Sequence, residues 1–233
     1  MSSANPIILK WSKRFPALKK VFLYYNIYIR NFKFFIKSSQ FDEDKKIIKL
    51  FDKSKKGTYL DVGCFHPIRQ NNTHLMYKLG WSGINIDLNP LTIELFKIAR
   101  PNDINICAAV SSKKGVKNFF FDHQLSSINT ISKNHTLFIK KVFGIKDLKK
   151  RRIKKIDFMN IDIEGHELEV LKTLNFKYFD IKVICIEIVN YDFYSRNIKI
   201  NKNQIFKILR KNNYTLKFKS VINYIFVKNE NKI

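Results

Sequence analysis

The sequence predicts an α/β fold in which a mainly parallel sheet carries helices on both faces and ends in an antiparallel hairpin. The chain has 233 residues, of which 45% are hydrophobic, so one domain of ordinary size can form a real core. From residue 57 onward, short apolar runs typical of buried strands alternate with segments of helical periodicity. Such alternation indicates parallel strands joined by crossover helices.

The expected elements follow one another in a regular order. A short amphipathic helix over residues 42–52 comes first, because acidic residues stand at its start, where the helix dipole favours negative charge. The predicted strands are 59–62, 83–87, 104–108, 158–162 and 183–187, and the predicted helices are 72–79, 91–99, 166–174 and 202–212. Two last strands, 214–218 and 224–228, are expected to form a hairpin at one edge of the sheet.

The first 41 residues differ in composition from the rest of the chain. They contain no acidic side chain, but eight basic residues interleaved with ten aromatic ones. This composition is typical of one or two basic amphipathic helices at an anionic membrane surface. Packing of these helices against the rest of the protein or a partner subunit is an equally good interpretation. We therefore divide the chain into a helical N-terminal extension, residues 1–41, and a domain, residues 42–233.

The net charge is strongly positive, since 44 Lys and Arg residues stand against 19 Asp and Glu residues, giving +25. Such a charge attracts nucleic acid, acidic lipid head groups or phosphorylated substrates. An alternative explanation is a coding bias, because Lys, Asn and Ile are abundant throughout the chain. The composition alone does not separate these two explanations.

The cysteines and the apolar segments indicate the cellular compartment. Cys64, Cys107 and Cys185 lie far apart and show no CxxC spacing, so neither a disulfide framework nor a zinc site is predicted, and a reducing cytosol fits best. The most membrane-like stretch, residues 21–36, is interrupted by polar and basic residues that a spanning helix would not carry. No cleavage site for a signal peptide follows it.

Acidic residues stand at the ends of the first two predicted strands. Asp61 ends the first strand and Gly63 follows it, at the edge of the sheet where α/β proteins bind ligands. A pyrophosphate-binding loop would need two further glycines, but Phe65 and Pro67 occupy those positions, which disfavours a dinucleotide. Asp87 ends the second strand, where a carboxylate can accept hydrogen bonds from both hydroxyls of a ribose. The alternative is a plain exposed turn residue.

The most unusual run is residues 160–167, NIDIEGHE, at a predicted junction of strand and helix. Its polar groups would be costly to bury unpaired, so we expect them to face a polar cleft. Asp162 is suited to act as a general base or as a ligand of a hard cation, and Glu164 and His166 are further proton acceptors. A purely structural capping role is the alternative. Glu167 is expected to begin the next helix.

Taken together, these motifs resemble the FkbM-type S-adenosylmethionine-dependent methyltransferases over about residues 58–227, roughly three quarters of the chain. Each motif alone is common, but their order and spacing are fairly specific. In chain order they are D-V-G at 61–63, N-T at 72–73, G-W at 80–81, G-x-x-I-D-x-x-P at 83–90, A-V-S at 109–111, S-S at 126–127, I-D-x-E-G at 161–165 and the acid at Glu187.

The resemblance implies a Rossmann-like sheet of seven strands, with the C-terminal hairpin supplying a reversed edge strand. Carried over by position, Asp61 and Gly63 hold the methionine end of S-adenosylmethionine and Asp87 holds its ribose. Ala108 and Ala109 lie beside the adenine.

The resemblance also implies a chemistry. Asp162 and Glu164 would line the transfer site, and the family acts mostly on hydroxyls of sugars and polyketides. An aligned hydroxyl must lose its proton, and Asp162 is our first choice of base and His166 the second. No metal site is predicted, although a cation held by carboxylates could assist. The sequence departs from the family at His66 and Pro67, which replace a small or glycine-rich continuation of the first loop.

The leading hypothesis is therefore a cytoplasmic O-methyltransferase of a sugar, glycan or similar small metabolite, with residues 1–41 in peripheral contact with an anionic membrane. The main alternative is an RNA-binding protein or RNA methyltransferase that uses the basic surface. Its weakness is that the basic run 140–155 contains one aromatic residue, Phe143, whereas proteins that bind single strands also need aromatic side chains. A nicotinamide-dependent oxidoreductase and a non-catalytic scaffold are the remaining alternatives.

Overall fold

The computed structural model describes residues 15–52, 54–110, 117–120, 136–139, 142–143, 153–163, 165–188 and 198–229. The helices are α1 (Pro16–Tyr24), α2 (Glu43–Ile48), α3 (His74–Lys78), α4 (Pro90–Ala99), α5 (Glu167–Thr173) and α6 (Ile198–Lys211). The strands are β1 (Thr58–Val62), β2 (Ser82–Asp87), β3 (Ile104–Cys107), β4 (Ala109–Val110), β5 (Lys117–Phe120), β6 (Thr136–Ile139), β7 (Val142–Phe143), β8 (Lys155–Ile161), β9 (Asp180–Glu187), β10 (Tyr214–Lys219) and β11 (Asn223–Lys228).

Seven strands form one sheet in the order β10-β11-β9-β8-β1-β2-β3, and two small sheets pair β4 with β7 and β5 with β6. From β9 to β3 all neighbours are parallel, because helices return the chain to the same edge of the sheet. The predicted α/β class, the seven-stranded sheet and the C-terminal hairpin are confirmed.

One detail of the hairpin is corrected. The reversed strand is β11, which is antiparallel to both β9 and β10 and lies inside the sheet, whereas β10 forms the edge. Burial explains this order: Tyr224, Ile225 and Phe226 of β11 are buried, but most of β10 is exposed after Tyr214. An apolar run without alternation belongs to a strand covered on both faces.

Helices cover both faces of the sheet, as predicted. On one face, Val170 and Leu171 of α5 and Ile205 and Leu209 of α6 pack with apolar strand residues in the largest core cluster. On the other face, α2 and α3 pack against strand residues that point the opposite way, which include Tyr59, Phe158, Val183 and Ile225. The alternation of side chains along each strand therefore separates two cores.

The described part of the N-terminal extension packs on the domain. It continues from α1 through a π-helical turn, Tyr25–Ile29, and a 3-10 turn, Phe32–Phe35. Leu23 and Ile27 are buried in a cluster with Ile68 and Leu95. The boundary at residue 41 stays a prediction. Within the described residues, no helix is long and apolar enough to cross a membrane.

Buried acids of α2 fasten the end of the extension to the domain. The Ser38 and Ser39 hydroxyls donate to the Asp44 carboxylate at 2.7 and 2.6 Å. Ser220 and Asn223, on the C-terminal hairpin, donate to Oε1 of Glu43 at 2.7 and 3.0 Å. The helix is shorter than predicted, and these acids do more than favour its dipole, because they join three segments distant in sequence.

Candidate active site

The carboxyl ends of β1, β2 and β8 meet at one edge of the sheet. The Gly63 amide donates to the Ile86 carbonyl oxygen at 2.9 Å, and the Asp162 amide donates to the Val62 carbonyl oxygen at 2.9 Å. Strand β1 lies between β2 and β8. After β1 the chain continues to β2 on one side, and it later returns as β8 on the other side. Open α/β sheets bind ligands at such a position.

Gly63 allows the backbone of the loop after β1 to lie very close to the backbone of Asp162. Its φ is +80°, and a Cβ built on it would lie 1.7 Å from the carbonyl oxygen of Asp162. No side chain fits this space, and the left-handed conformation is also costly for any other residue. Gly63 therefore sets the loop after β1 directly against the start of the 162–166 loop.

The loop after β1 does without the expected glycines. Phe65 takes the left-handed conformation in which a glycine is usual, with φ of +51°, and its amide donates to Oδ2 of Asp87 at 3.0 Å. Nδ1 of His66 accepts the amides of Ile68 and Arg69 at 3.1 and 3.0 Å. The departure from the family pattern thus has a structural explanation: an imidazole ring fixes the turn.

Asp87 lies at the end of β2 and is half-buried. Its Oδ1 accepts the amide of Asn89 at 2.7 Å, while Oδ2 accepts the amide of Phe65. Burial raises the pKa of this carboxyl to about 6, although hydrogen bonds from the backbone amides of Asn89, Phe65 and Leu88 oppose the shift. A carboxylate has about four acceptor positions, so the side chain can still accept a hydrogen bond from a ligand.

Asp61 joins several segments of the site through hydrogen bonds to its side chain. Its side chain is fully buried, and its oxygens accept hydrogen bonds from Asn71 (3.2 Å), Thr73 (2.9 Å) and Asn160 (2.9 Å). Burial raises the pKa of the carboxyl, and the three donors and Arg100 counteract this shift. The bonds fix the loop after β1 to β8. Contact of Asp61 with a ligand stays a prediction.

A buried arginine completes this network. Arg100 ends α4 and donates to the Thr73 hydroxyl at 2.7 Å, to Oδ1 of Asn71 at 2.8 Å and to the carbonyl oxygen of Pro67. It is 1% exposed. The guanidinium therefore holds the loop after β1 through these hydrogen bonds, and its positive charge favours the ionised form of Asp61.

The 162–166 loop contains two of the three predicted catalytic residues within the described chain. Asp162 and His166 are both half-buried, and His166 precedes α5. Glu164 lies outside the described residues. Glu167, in contrast, is buried, and its carboxylate accepts the amides of Ile163 (3.1 Å) and Gly165 (3.0 Å). Glu167 thus shapes the loop, which goes beyond its predicted role at the helix start.

We expect Glu167→Gln to lower turnover by up to about tenfold, because hydrogen bonds to a charged acceptor are roughly twice as strong as neutral ones and the loop loses two of them. Cofactor affinity should stay within a factor of about two, since the predicted ribose site is at the end of β2. Steady-state kinetics and calorimetry measure the two effects. Glu169→Gln is the matched control, since Glu169 is exposed on the same helix. Equal kinetics of both variants would contradict this role.

The two remaining residues of the predicted cofactor site, Ala108 and Ala109, directly follow β3. Ala108 is buried, and its amide donates to the carbonyl oxygen of Asp87 at 2.8 Å, so it is adjacent to the end of β2. Ala109 begins β4, and its side chain lies outside the described part. Among the described residues, no group of three His, Cys, Asp or Glu side chains is arranged to hold a metal ion.

The comparison with family models gives one match: residues 61–216 match the model described as Methyltransferase FkbM domain. The comparison with curated proteins gives no match. Membership of this family was predicted from the motifs, and it is confirmed by a match over about two thirds of the chain.

Several solved structures are similar to the chain. A TehB-like SAM-dependent methyltransferase from Corynebacterium glutamicum has 13% identity and a TM-score of 0.48, over 92% of this chain and 100% of that chain. An O-methyltransferase from Bacillus cereus in complex with SAH has 12% identity and a TM-score of 0.46, over 80% of both chains. A candidate rRNA methylase from Clostridium thermocellum has 10% identity and a TM-score of 0.46, over 82% and 98%. Nothing about this chain's activity follows from similarity at this level.

The matched stretch contains the ends of β1, β2 and β8 with Asp61, Gly63, Asp87 and Asp162. The cofactor prediction is confirmed with the family, since its members take their methyl group from S-adenosylmethionine. The chain belongs to the FkbM methyltransferase family.

Proposed function

We propose that the protein transfers the methyl group of S-adenosylmethionine to a hydroxyl of a sugar, a glycan or a similar small metabolite, on the cytoplasmic side of the membrane. One observation carries the proposal: the loop of Gly63 contacts both the end of β2 beside Asp87 and the backbone of Asp162. A group that accepts ribose hydroxyls and a group that accepts a proton therefore flank the same glycine. All three cysteines are thiols outside any disulfide, which fits a reducing compartment.

The residues at this edge fit the cofactor. Asp87 offers carboxylate oxygens to the ribose hydroxyls, and Gly63 brings the loop after β1 against the backbone of Asp162 at the same edge. Asp61 orients Asn71 and Asn160 at this edge, because both side-chain amides donate to its carboxylate. When bound, the sulfonium supplies an activated methyl group.

Asp162 supplies the proton acceptor. A sugar hydroxyl is a weak nucleophile until its proton begins to leave, and a carboxylate within reach accelerates this step by about 10²–10⁴. The backbone amide of Asp162 is hydrogen-bonded to the Val62 carbonyl oxygen, and Glu167 accepts the amide of Ile163, so the backbone from which the Asp162 carboxylate extends is held on both sides. Alignment of the hydroxyl with the methyl group contributes further.

We expect the affinity for S-adenosylmethionine to fall about tenfold between pH 7 and pH 5, because only the ionised Asp87 can accept both hydroxyl bonds and the affinity follows its ionised fraction. The sign follows from the raised pKa of about 6: protonation sets in as the pH drops through that value. Calorimetric titration across this range measures the effect.

Asp87→Asn is the control for this titration, because it keeps the shape of the side chain and removes its charge. The variant should bind more weakly at neutral pH, by at least about tenfold, given roughly 1.5–3 kcal/mol per hydrogen bond to a charged group. Its affinity should no longer depend on pH in this range. Wild-type affinity in the variant would remove Asp87 from the cofactor site.

The acceptor class is tested by offering the purified protein labelled S-adenosylmethionine together with two kinds of substrate. Cell-envelope glycan extracts should take up label, and the label should resist mild base, as expected of an ether rather than an ester. Total RNA from the same cells should stay unlabelled. Label on RNA alone would replace the proposal with an RNA methyltransferase.

A further inference from the structure

The extension exposes an unusual amount of apolar surface. Of the fourteen large hydrophobic residues that are exposed in the described part of the chain, nine lie between residues 15 and 36. Single exposed apolar residues are ordinary, but a concentration in one short segment marks an interaction surface. We call these nine side chains the N-terminal face: Phe15, Leu18, Val21, Tyr24, Tyr25, Tyr28, Ile29, Phe32 and Ile36.

The N-terminal face is exposed although its segment is firmly packed. Leu23 and Ile27, on the opposite side, are 5% and 0% exposed and lie against Ile68 and Leu95. Lys19 forms an ion pair with Glu94 at 2.6 Å. The segment has therefore already buried one side in the domain, and the N-terminal face is what remains uncovered.

The charged residues within the segment itself are all basic. Lys20, Arg30 and Lys33 are exposed within the segment, and no acidic residue occurs from residue 15 to residue 41. The first acid after it, Asp42, is paired with Lys37 and Lys45 at 3.3 and 3.0 Å. The partner of such a surface is apolar and negatively charged.

We propose that the N-terminal face docks the protein on a membrane containing anionic lipid, with its aliphatic and aromatic side chains at the boundary between head groups and acyl chains. Basic residues beside exposed aromatic and aliphatic ones are the combination that interfacial helices use. Three of the nine side chains are tyrosines, whose rings suit the head-group level. A soluble protein partner would not require a surface free of acids.

The docked protein has a defined orientation, because the segment is attached to the loop that leads away from the cofactor site. The side-chain amide nitrogen of Asn31 lies 3.2 Å from Nε2 of His66, and the backbone amide of Asn71 donates to the carbonyl oxygen of Ser38 at 3.0 Å. The carboxyl edge of the sheet therefore lies close to the docking surface. Under the proposed function, this places the transfer site near acceptors attached to membrane lipids, and only this step rests on that proposal.

The electrostatic part is tested with the full chain and vesicles made of equal parts of phosphatidylglycerol and phosphatidylcholine. Lys20→Ser combined with Lys33→Ser should weaken co-sedimentation about 30-fold, since each basic residue near an anionic surface contributes roughly 1 kcal/mol. Lys56→Ser combined with Lys217→Ser, two exposed lysines outside the segment, is the matched control and should bind like the wild type. Vesicles of phosphatidylcholine alone should bind poorly.

The apolar part is tested with Ile29→Ser combined with Phe32→Ser, which should weaken binding at least about tenfold through the lost apolar contact. Both residues are 67% exposed, so the thermal unfolding midpoint should not change. Leu79→Ser combined with Val221→Ser, at 50% and 69% exposure, is the matched control. Should the double variant fold poorly, Ile36→Ser, at 84% exposure, tests the same contact.

Three results would overturn the proposal. The first is equal binding of the variants and their controls to anionic vesicles. The second is a stable dimer in solution that Ile29→Ser and Phe32→Ser dissociate, which would identify a second copy of the chain as the partner. The third is a loss of RNA binding in the variants without a loss of lipid binding. Because none of these measurements uses enzymatic activity, they are independent of the proposed function.

Discussion

The variant Asp162→Asn should lose about 10²–10⁴-fold of the methyl-transfer rate, because the amide keeps the shape of the side chain but cannot accept the hydroxyl proton. Its affinity for S-adenosylmethionine should stay close to that of the wild type, since the predicted ribose site is at the end of β2. The hydrogen bond from the backbone amide of Asp162 to Val62 and the contact of its carbonyl group with Gly63 involve backbone atoms, which the substitution leaves in place. Single-turnover kinetics with bound cofactor measure the chemical step directly.

A matched control for this experiment is His166→Gln, at the other end of the same loop. If Asp162 is the base, this variant should retain most of the activity. The reverse result, a fully active Asp162→Asn and an inactive His166→Gln, would move the base to the imidazole. Full activity in both would direct the search to Glu164.

The positions of the strand ends could be predicted from the sequence because two simple regularities coincide. Apolar runs of the length of a strand end in Asp61, Asp87 and Asp162, and the carboxyl ends of parallel strands share one edge. Side chains on that edge must be close, whatever the details of packing. The close contact of Gly63 with Asp162 could not be predicted from the sequence, because it depends on the register of β1 against β8.

The polar network around Asp61 and Arg100 could not be predicted from the sequence. Asn160 and Asp61 are 99 positions apart, and Arg100 and Asn71 are 29 apart, so neither pair forms a local motif. One signal is present: Asn160 interrupts the apolar run of residues 158–161, and a buried amide needs partners. Asn72 and Thr73 stood out only through the resemblance to the family.

The N-terminal extension shows why two interpretations of one composition need not compete. Packing on the domain accounts for Leu23 and Ile27, which recur at helical spacing, and leaves the N-terminal face uncovered. The sequence contains both sets of residues but does not indicate which face is buried. The side with Leu23 and Ile27 is the buried one, because these residues pack against Ile68 and Leu95 of the domain.

Replacement of Arg100 by Met should reduce the free energy of unfolding by about 3–5 kcal/mol, the usual cost of leaving buried polar and charged partners without their counterpart. The variant removes the donors to Thr73, Asn71 and Pro67 and the positive charge that offsets Asp61. Methionine roughly keeps the apolar volume, so the loss reports mainly the polar contacts. Denaturation by urea measures it. Arg210→Met, which replaces an exposed arginine, should change stability by less than about 0.5 kcal/mol.

The destabilisation by Arg100→Met should also depend on pH, and this separates the charge from the lost hydrogen bonds. Burial already raises the pKa of Asp61 above its usual value, so the folded protein holds a proton that the unfolded chain releases, and stability is lost as the pH rises through that interval. Without the guanidinium the pKa of Asp61 rises further, and the interval extends to higher pH. The difference from wild type should therefore be larger at about pH 8 than at about pH 5. A difference that is equal at both values would mean that Arg100 stabilises the loop through its hydrogen bonds and not through its charge.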